Sequence, residues 1–139
     1  MKARTFREID HSGDVGIEAW GESPARLFEN MTLGLLSLMA TGPVGVRVKR
    51  ELLVHAERPS DLLVAWLSEV ILSAATRGEV YSGVRIDVID DCNIRGVVAG
   101  ARIDAARHAL RFEVKAATYH GLLFEETDDG LHARVIFDL

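Results

Sequence analysis

Apolar positions follow two periods along this chain, and the switches between them mark out its elements. A stretch from about Thr5 to Glu8 reads as extended, and the turn Asp10-His11-Ser12-Gly13-Asp14 leads from it into Val15 to Trp20. There Val15, Ile17 and Ala19 alternate with Gly16, Glu18 and Trp20, the pattern of a half-buried strand. Ser23-Pro24 then supplies an N-cap followed by proline at the first helical position. Leu27, Phe28, Met31, Leu35, Leu38 and Met39 recur at helical spacing until Gly42-Pro43 stops the helix. Val44 to Ala56 returns to alternation, with Val46, Val48 and Leu52 set against Arg47, Lys49 and Glu51, and predicts a long strand with one wet face. Pro59-Ser60-Asp61 opens a second helix whose broad apolar face, Leu62, Leu63, Trp66, Leu67, Val70, Ile71 and Ala74, predicts the more buried of the two.

After Gly78 every segment reads as strand and tight turn. The strands are Val80 to Ile89, Ile94 to Arg102, Leu110 to Ala117, Leu122 to Glu126 and His132 to Leu139. Asp90-Asp91-Cys92-Asn93, Asp104 to His108, and Asp128-Asp129-Gly130 carry the turn chemistry between them. Strands joined so tightly predict a five-strand antiparallel meander. The fold class expected is α+β, with two helices packed on largely antiparallel β-sheets in a single domain over residues 1–139. Regular βαβ alternation and a phosphate-binding Gly-Lys loop are both missing, which excludes a Rossmann domain and a P-loop ATPase.

Composition narrows the function. With 139 residues there is room for one core, and 16 Lys and Arg against 21 Asp and Glu leave a formal charge of −5. That balance lacks the basic footprint of a protein that binds nucleic acid by phosphate neutralisation, so any RNA would be held by something else. The lone Cys92 excludes an internal disulfide and a cysteine-cluster zinc site and suits a reducing compartment. No run approaches the roughly 18 apolar residues of a membrane span. Lys2, Arg4, Arg7 and Glu8 precede no apolar core of a signal peptide, so the expected location is cytoplasmic.

Three segments carry candidate chemistry. His11-Ser12-Gly13-Asp14 places an imidazole, a hydroxyl and a carboxylate on a flexible turn, where they either surround a polar ligand or satisfy turn amides. In the last strand, Ala133, Val135, Phe137 and Leu139 alternate with His132, Arg134, Ile136 and Asp138 to the final residue, so Asp138 stands beside the α-carboxylate of Leu139. Two hard oxygen anions there suit Ca²⁺, Mg²⁺ or Mn²⁺ if another carboxylate joins them, and otherwise mark only a solvated strand end. Lys115 to Gly121 puts a lysine on a strand before a turn with Tyr119 and His120, which offers phosphate contacts or a general acid, or else is an ordinary exposed strand residue followed by an edge aromatic. Trp20, Trp66, the methionines and the phenylalanines are assigned to packing. Asp87, Asp90 and Asp91, like Glu125, Glu126, Asp128 and Asp129, read as solvated turn charge, with an acidic docking surface as the minority reading. Cys92 has no basic neighbour in sequence, and His55, His108 and His132 have no metal-ligand spacing.

Taken together and in this order, these segments resemble the archease family. The matching stretches are His11 to Ile17 with Trp20 to Ser23, Leu27 to Asn30, Asp61 to Glu69, Lys115 to Leu122 and Ala133 to Leu139. Ser12-Gly13 departs from the Thr-Ala more often found there and leaves His11 and Asp14 in place. The resemblance implies a non-enzymatic partner of an RtcB-type RNA ligase, which joins a 5′-hydroxyl end to a 3′-phosphate or cyclic-phosphate end with GTP and divalent metal in tRNA splicing and RNA repair. It implies promotion of guanylylation of the ligase's active-site histidine and so multiple turnover, with RNA met only through the ligase. The family's metal site carries over to Asp14, Asp138 and the terminal carboxylate of Leu139, and its important lysine to Lys115. Two other classes remain open at this point. One is a metal-dependent phosphoester hydrolase using His11 or His120 as base, and the other is a chaperone-like binding module with structural carboxylates.

Overall fold

A computed structural model describes residues 5–139, so Lys2 and Arg4 of the leader reading lie outside the described residues. The chain runs β1 (Phe6–His11), β2 (Asp14–Gly21), α1 (Pro24–Met39), β3 (Ala40–Thr41), β4 (Val48–His55), α2 (Pro59–Arg77), β5 (Glu79–Ile89), β6 (Asn93–Arg102), β7 (Ala109–Leu110), β8 (Ala116–Ala117), β9 (Leu123–Thr127) and β10 (Gly130–Asp138). This is the expected α+β class, with every strand pair antiparallel. No helix among the described residues is long and apolar enough to cross a membrane.

Local signals hold at the start of both helices, but α1 ends at Met39, short of Gly42-Pro43, because Ala40–Thr41 leaves it to pair with Ala109–Leu110. Ser23 caps α1 by accepting a hydrogen bond from the Arg26 amide, with Pro24 behind it, and Gly78 closes α2 in the left-handed conformation at φ 63°. The meander, however, does not form. The β5–β6 and β9–β10 hairpins are present, but β6 pairs with β4 on its other edge, and β10 pairs with β2 from the start of the chain. Two principal sheets result, β4-β6-β5 and a five-stranded sheet in which β2 and β10 are central and β8 and β9 share the outer edge of β10.

The predicted strand from Leu110 to Ala117 is likewise broken. Arg111 and Phe112 donate their amides to the carbonyls of Met39 and Leu38 at the end of α1, whereas the Lys115 amide donates to Asp138 at 2.8 Å. The segment changes partner midway, so no continuous ladder forms.

Helix α1, not α2, is the more enclosed: nine of its 16 residues are buried against nine of the 19 in α2. It packs against β2 of one sheet and β5 of the other, and Glu29 reaches across to accept the Ile86 amide at 3.0 Å. A relay joins the helices, as Trp66 donates its indole N–H to Thr32 at 2.9 Å and Thr32 donates to the Phe28 carbonyl at 2.6 Å. Thr32→Val keeps the shape but strands the indole N–H. The expected loss is about 1–3 kcal/mol, read as a lower urea midpoint at unchanged m-value.

One buried polar cluster was not visible in the sequence. Arg50 lies on the inward row of β4 with Val48, Leu52 and Val54, and binds Glu79 through Nε at 3.0 Å and a terminal nitrogen at 2.5 Å. Tyr81 donates to the same carboxylate at 2.8 Å; having spent its one hydroxyl proton, it accepts from Ser73, also at 2.8 Å. The guanidinium holds Glu79 down at about 2 against the opposing effect of burial, and burial holds the Tyr81 hydroxyl above its ordinary range.

Candidate functional site

The candidate site is assembled by strand register. His11 and Asp14 are directly paired across a two-residue turn, Ser12-Gly13, whose φ values of 31° and 89° are both positive, as in the hairpin turns that match strand twist. Strand β10 runs antiparallel to β2 with Phe137 opposite Val15, so the next residues outward are Asp138 and Asp14. Cross-strand neighbours of this kind carry Cβ atoms about 5 Å apart on one face. On the other edge of β10, Asp138 pairs with Ala116, which brings Lys115 level with Leu139. Two carboxylates 124 positions apart in sequence thereby meet at one tip, with the last residue and Lys115 beside them.

Packing fixes the tip from beneath. Val15, Phe137 and Val135 point into the core, and the side chain of Leu139 packs against that core, so the last strand is held to its end. On the outer face, Gly16 makes room for Ile136, whose Cδ1 would lie 2.6 Å from any Cβ placed there. The Thr118–Gly121 turn folds onto the same face, with Thr118 Oγ1 donating to the Ile136 carbonyl at 2.8 Å. That turn sets the His120 ring edge-on to His11 at a centroid distance of 5.1 Å. All the residues singled out by sequence, His11, Asp14, Lys115, His120, Asp138 and Leu139, therefore belong to this end of the five-stranded sheet.

Their electrostatics are unbalanced. Among the described residues, neither Asp14 nor Asp138 enters a side-chain hydrogen bond or ion pair. His11 Nδ1 is buried and has no hydrogen-bond partner there either, which leaves a polar atom unsatisfied at the base of the turn. Among the same residues no three His, Cys, Asp or Glu side chains form a metal-ligand group. The set at the tip is smaller, the side chains of Asp14 and Asp138 with Leu139 next in the strand. Hard oxygen donors without a protein cation between them fit Ca²⁺, Mg²⁺ or Mn²⁺, and the residues able to hold such an ion are Asp14, Asp138 and Leu139. The Lys115 side chain is exposed, and its backbone amide is held on Asp138, level with this tip.

The other histidines have structural partners. His108 accepts the Asp104 amide at 3.0 Å and closes its own turn, and His55 bonds Asn93 at 3.0 Å. His132 stacks on Trp20 at 5.0 Å and lies between Glu18 and Glu125, at 2.7 and 2.9 Å. Burial pushes the Glu18 carboxyl up, but hydrogen bonds from His132 and Arg7 more than offset it and hold the group below the ordinary carboxylate range.

Comparison with known proteins agrees with this architecture over nearly its whole length. A sequence model of the archease protein family matches residues 6–139. The protein archease of Methanosarcina acetivorans is 28% identical over 143 aligned residues, covering 99% of this chain and 98% of the relative. That of Thermococcus gammatolerans is 30% identical over 131, covering 91% and 92%. The solution structure of Methanobacterium thermoautotrophicum protein 1598 superposes with a TM-score of 0.79 at 32% identity, covering 96% of this chain and 98% of that one. A Thermotoga maritima archease, described as a possible chaperone, shares the fold with a TM-score of 0.69 at 24% identity, covering 100% and 99%.

Proposed function

This chain belongs to the archease family, and on that premise we propose that it is a non-enzymatic activator of an RtcB-type RNA ligase, promoting guanylylation of the ligase's active-site histidine and hence multiple turnover in tRNA splicing and RNA repair. The observation that carries the proposal is the register of β2, β10 and β8, which collects Asp14, Asp138, the Leu139 carboxylate and Lys115 on one exposed tip. A divalent ion held by the three carboxylates would supply positive charge toward GTP phosphate oxygens. Asp14 and Asp138 hold the site in shape because each is fixed by a strand whose neighbouring residue is buried, and Lys115 offsets phosphate charge from the adjacent edge.

Direct phosphoester hydrolysis by this chain fits less well. Ser12, Gly13, Lys115 and Asp138 are exposed, and among the described residues three cavities of the fold are lined by residues other than His11 and His120, which leaves the tip open to a partner rather than closed around a small substrate.

The test is a ligation time course with limiting ligase, with and without this protein. More product than ligase is expected only when the protein is present, and addition of a chelator that spares the ligase's own metal is expected to remove the gain. A chaperone-like action through structural carboxylates would survive the chelator. Lys115→Ala is expected to retain the wild-type melting temperature, since its side chain is exposed, while turnover falls by about tenfold. Unchanged turnover in the absence of the protein would overturn the proposal.

A further inference from the structure

At the end of the β2–β10 pair remote from the tip lies a second feature that the tip does not use. The β5–β6 and β9–β10 turns, the start of α1 and the start of α2 enclose a cavity of about 720 Å³. Its floor is apolar, made by Phe28, Leu62, Ile89, Phe124 and Leu131. Its lining carries six carboxylates, Glu22, Asp90, Asp91, Glu126, Asp128 and Asp129, and no lysine or arginine. Six of the chain's 21 acidic residues thus line one groove without a basic side chain among its lining residues.

Local structure accounts for only part of that charge. Asp90 is spent on its own turn, accepting the amides of Cys92 at 2.9 Å and Asn93 at 2.8 Å, which hold its carboxyl below the ordinary range. The other five enter no side-chain hydrogen bond or ion pair among the described residues. Helices α1 and α2 both begin at the groove, with Pro24 and Pro59 in its wall, and each N-terminus contributes roughly half a positive charge. Two such half charges fall well short of neutralising six carboxylates.

We propose that this groove binds a basic peptide segment of a protein partner, its Lys or Arg residues meeting the acidic rim and one apolar side chain seated on the floor. Charge complementarity selects the occupant: an acidic rim repels RNA phosphates and anionic membranes alike, whereas the apolar floor offers nothing to a bare cation. Because β2 runs eight residues from the tip to the groove, the two sites lie about 25 Å apart at roughly 3.3 Å per residue, and both can be occupied at once. The inference stands whether or not the tip acts on a ligase.

Fluorescence anisotropy of the intact protein with a labelled synthetic peptide, lysines flanking a central leucine pair, tests it. Binding on the order of tens of micromolar is expected, weakening as salt rises. The triple variant E22Q/E126Q/D129N changes only exposed side chains and is expected to bind about tenfold more weakly with an unchanged melting temperature. Glu51→Gln, on the exposed row of β4, is expected to bind as the native protein does. Three results would each overturn the proposal: no binding below about 1 mM, equal binding by the triple variant, or equal binding of a peptide with glycines in place of the leucines.

Discussion

Asp14→Asn is expected to move stability and function in opposite directions. In the presence of chelator, the variant should be as stable as the native protein or more stable by about 0.2–1 kcal/mol, because it removes a like charge placed across from Asp138. Guanylylation of the ligase should fall by about tenfold or more, because an amide is a far poorer ligand for a hard cation than a carboxylate. Asp138→Asn should behave in the same way, since the two residues are neighbours in one register and neither has a side-chain partner among the described residues. Chemical denaturation and a single-turnover guanylylation assay on the same preparations read both effects. A purely structural carboxylate would give the reverse result, lower stability with activation intact.

The Arg50–Glu79 pair is expected to give the largest loss of stability, and an asymmetric one. Glu79 is 5% exposed and Arg50 32%, so the two partners differ in their access to water once the pair is broken. Arg50→Met leaves a buried, uncompensated carboxylate and should cost about 3–4 kcal/mol. Glu79→Gln leaves a guanidinium that can turn outward, and should cost about 2 kcal/mol. The pH dependence carries a defined sign. A carboxyl held at about 2 in the fold, against 4.5 in the unfolded chain, stabilises fully above pH 4.5 and loses that contribution as the pH falls toward 2. Allowing for the partial exposure of Arg50, the native protein should lose about 2 kcal/mol more than Glu79→Gln across that interval. Parallel stability curves for the two proteins would show that the pair contributes nothing.

What the sequence revealed and what it concealed divide along the range of the forces involved. Ser23-Pro24 and the apolar spacing of both helices act within a few residues, and each forms as read. Strand pairing is decided elsewhere. The run after Gly78 contains the right alternation, yet β10 chooses β2 because Val15, Ile17 and Ala19 need Phe137, Val135 and Ala133 beside them to close the core. The stretch from Leu110 to Ala117 has strand-like residues but serves two partners in turn. Arg50 was concealed because β4 reads as having a single wet face. Its place in the same row as Val48 and Leu52 was the available signal, since a charge at such a position needs an opposite charge to meet it.

At the tip, His11, Asp14, Lys115 and Asp138 were all legible as residues, and the unbroken alternation to Leu139 marked an anchored end. Their meeting was not legible, because it depends on the β2–β10 and β10–β8 registers. The groove follows the same logic: its acidic turns look like solvated charge in sequence, and only the fold sets Asp90 and Asp91 opposite Glu126, Asp128 and Asp129 around an apolar floor.

In the activation proposed above, three carboxylates at one tip act together, the third being that of Leu139 on the main chain. The most direct test is the guanylylation rate of the ligase's active-site histidine, with the native chain and with a chain extended by glycine and serine beyond Leu139. The extension leaves Asp14, Asp138, Lys115 and the core untouched while turning the Leu139 carboxylate into a neutral amide. The extended chain is expected to fold normally while guanylylation falls to the level of the ligase alone; activation at the native rate would contradict the three-carboxylate site.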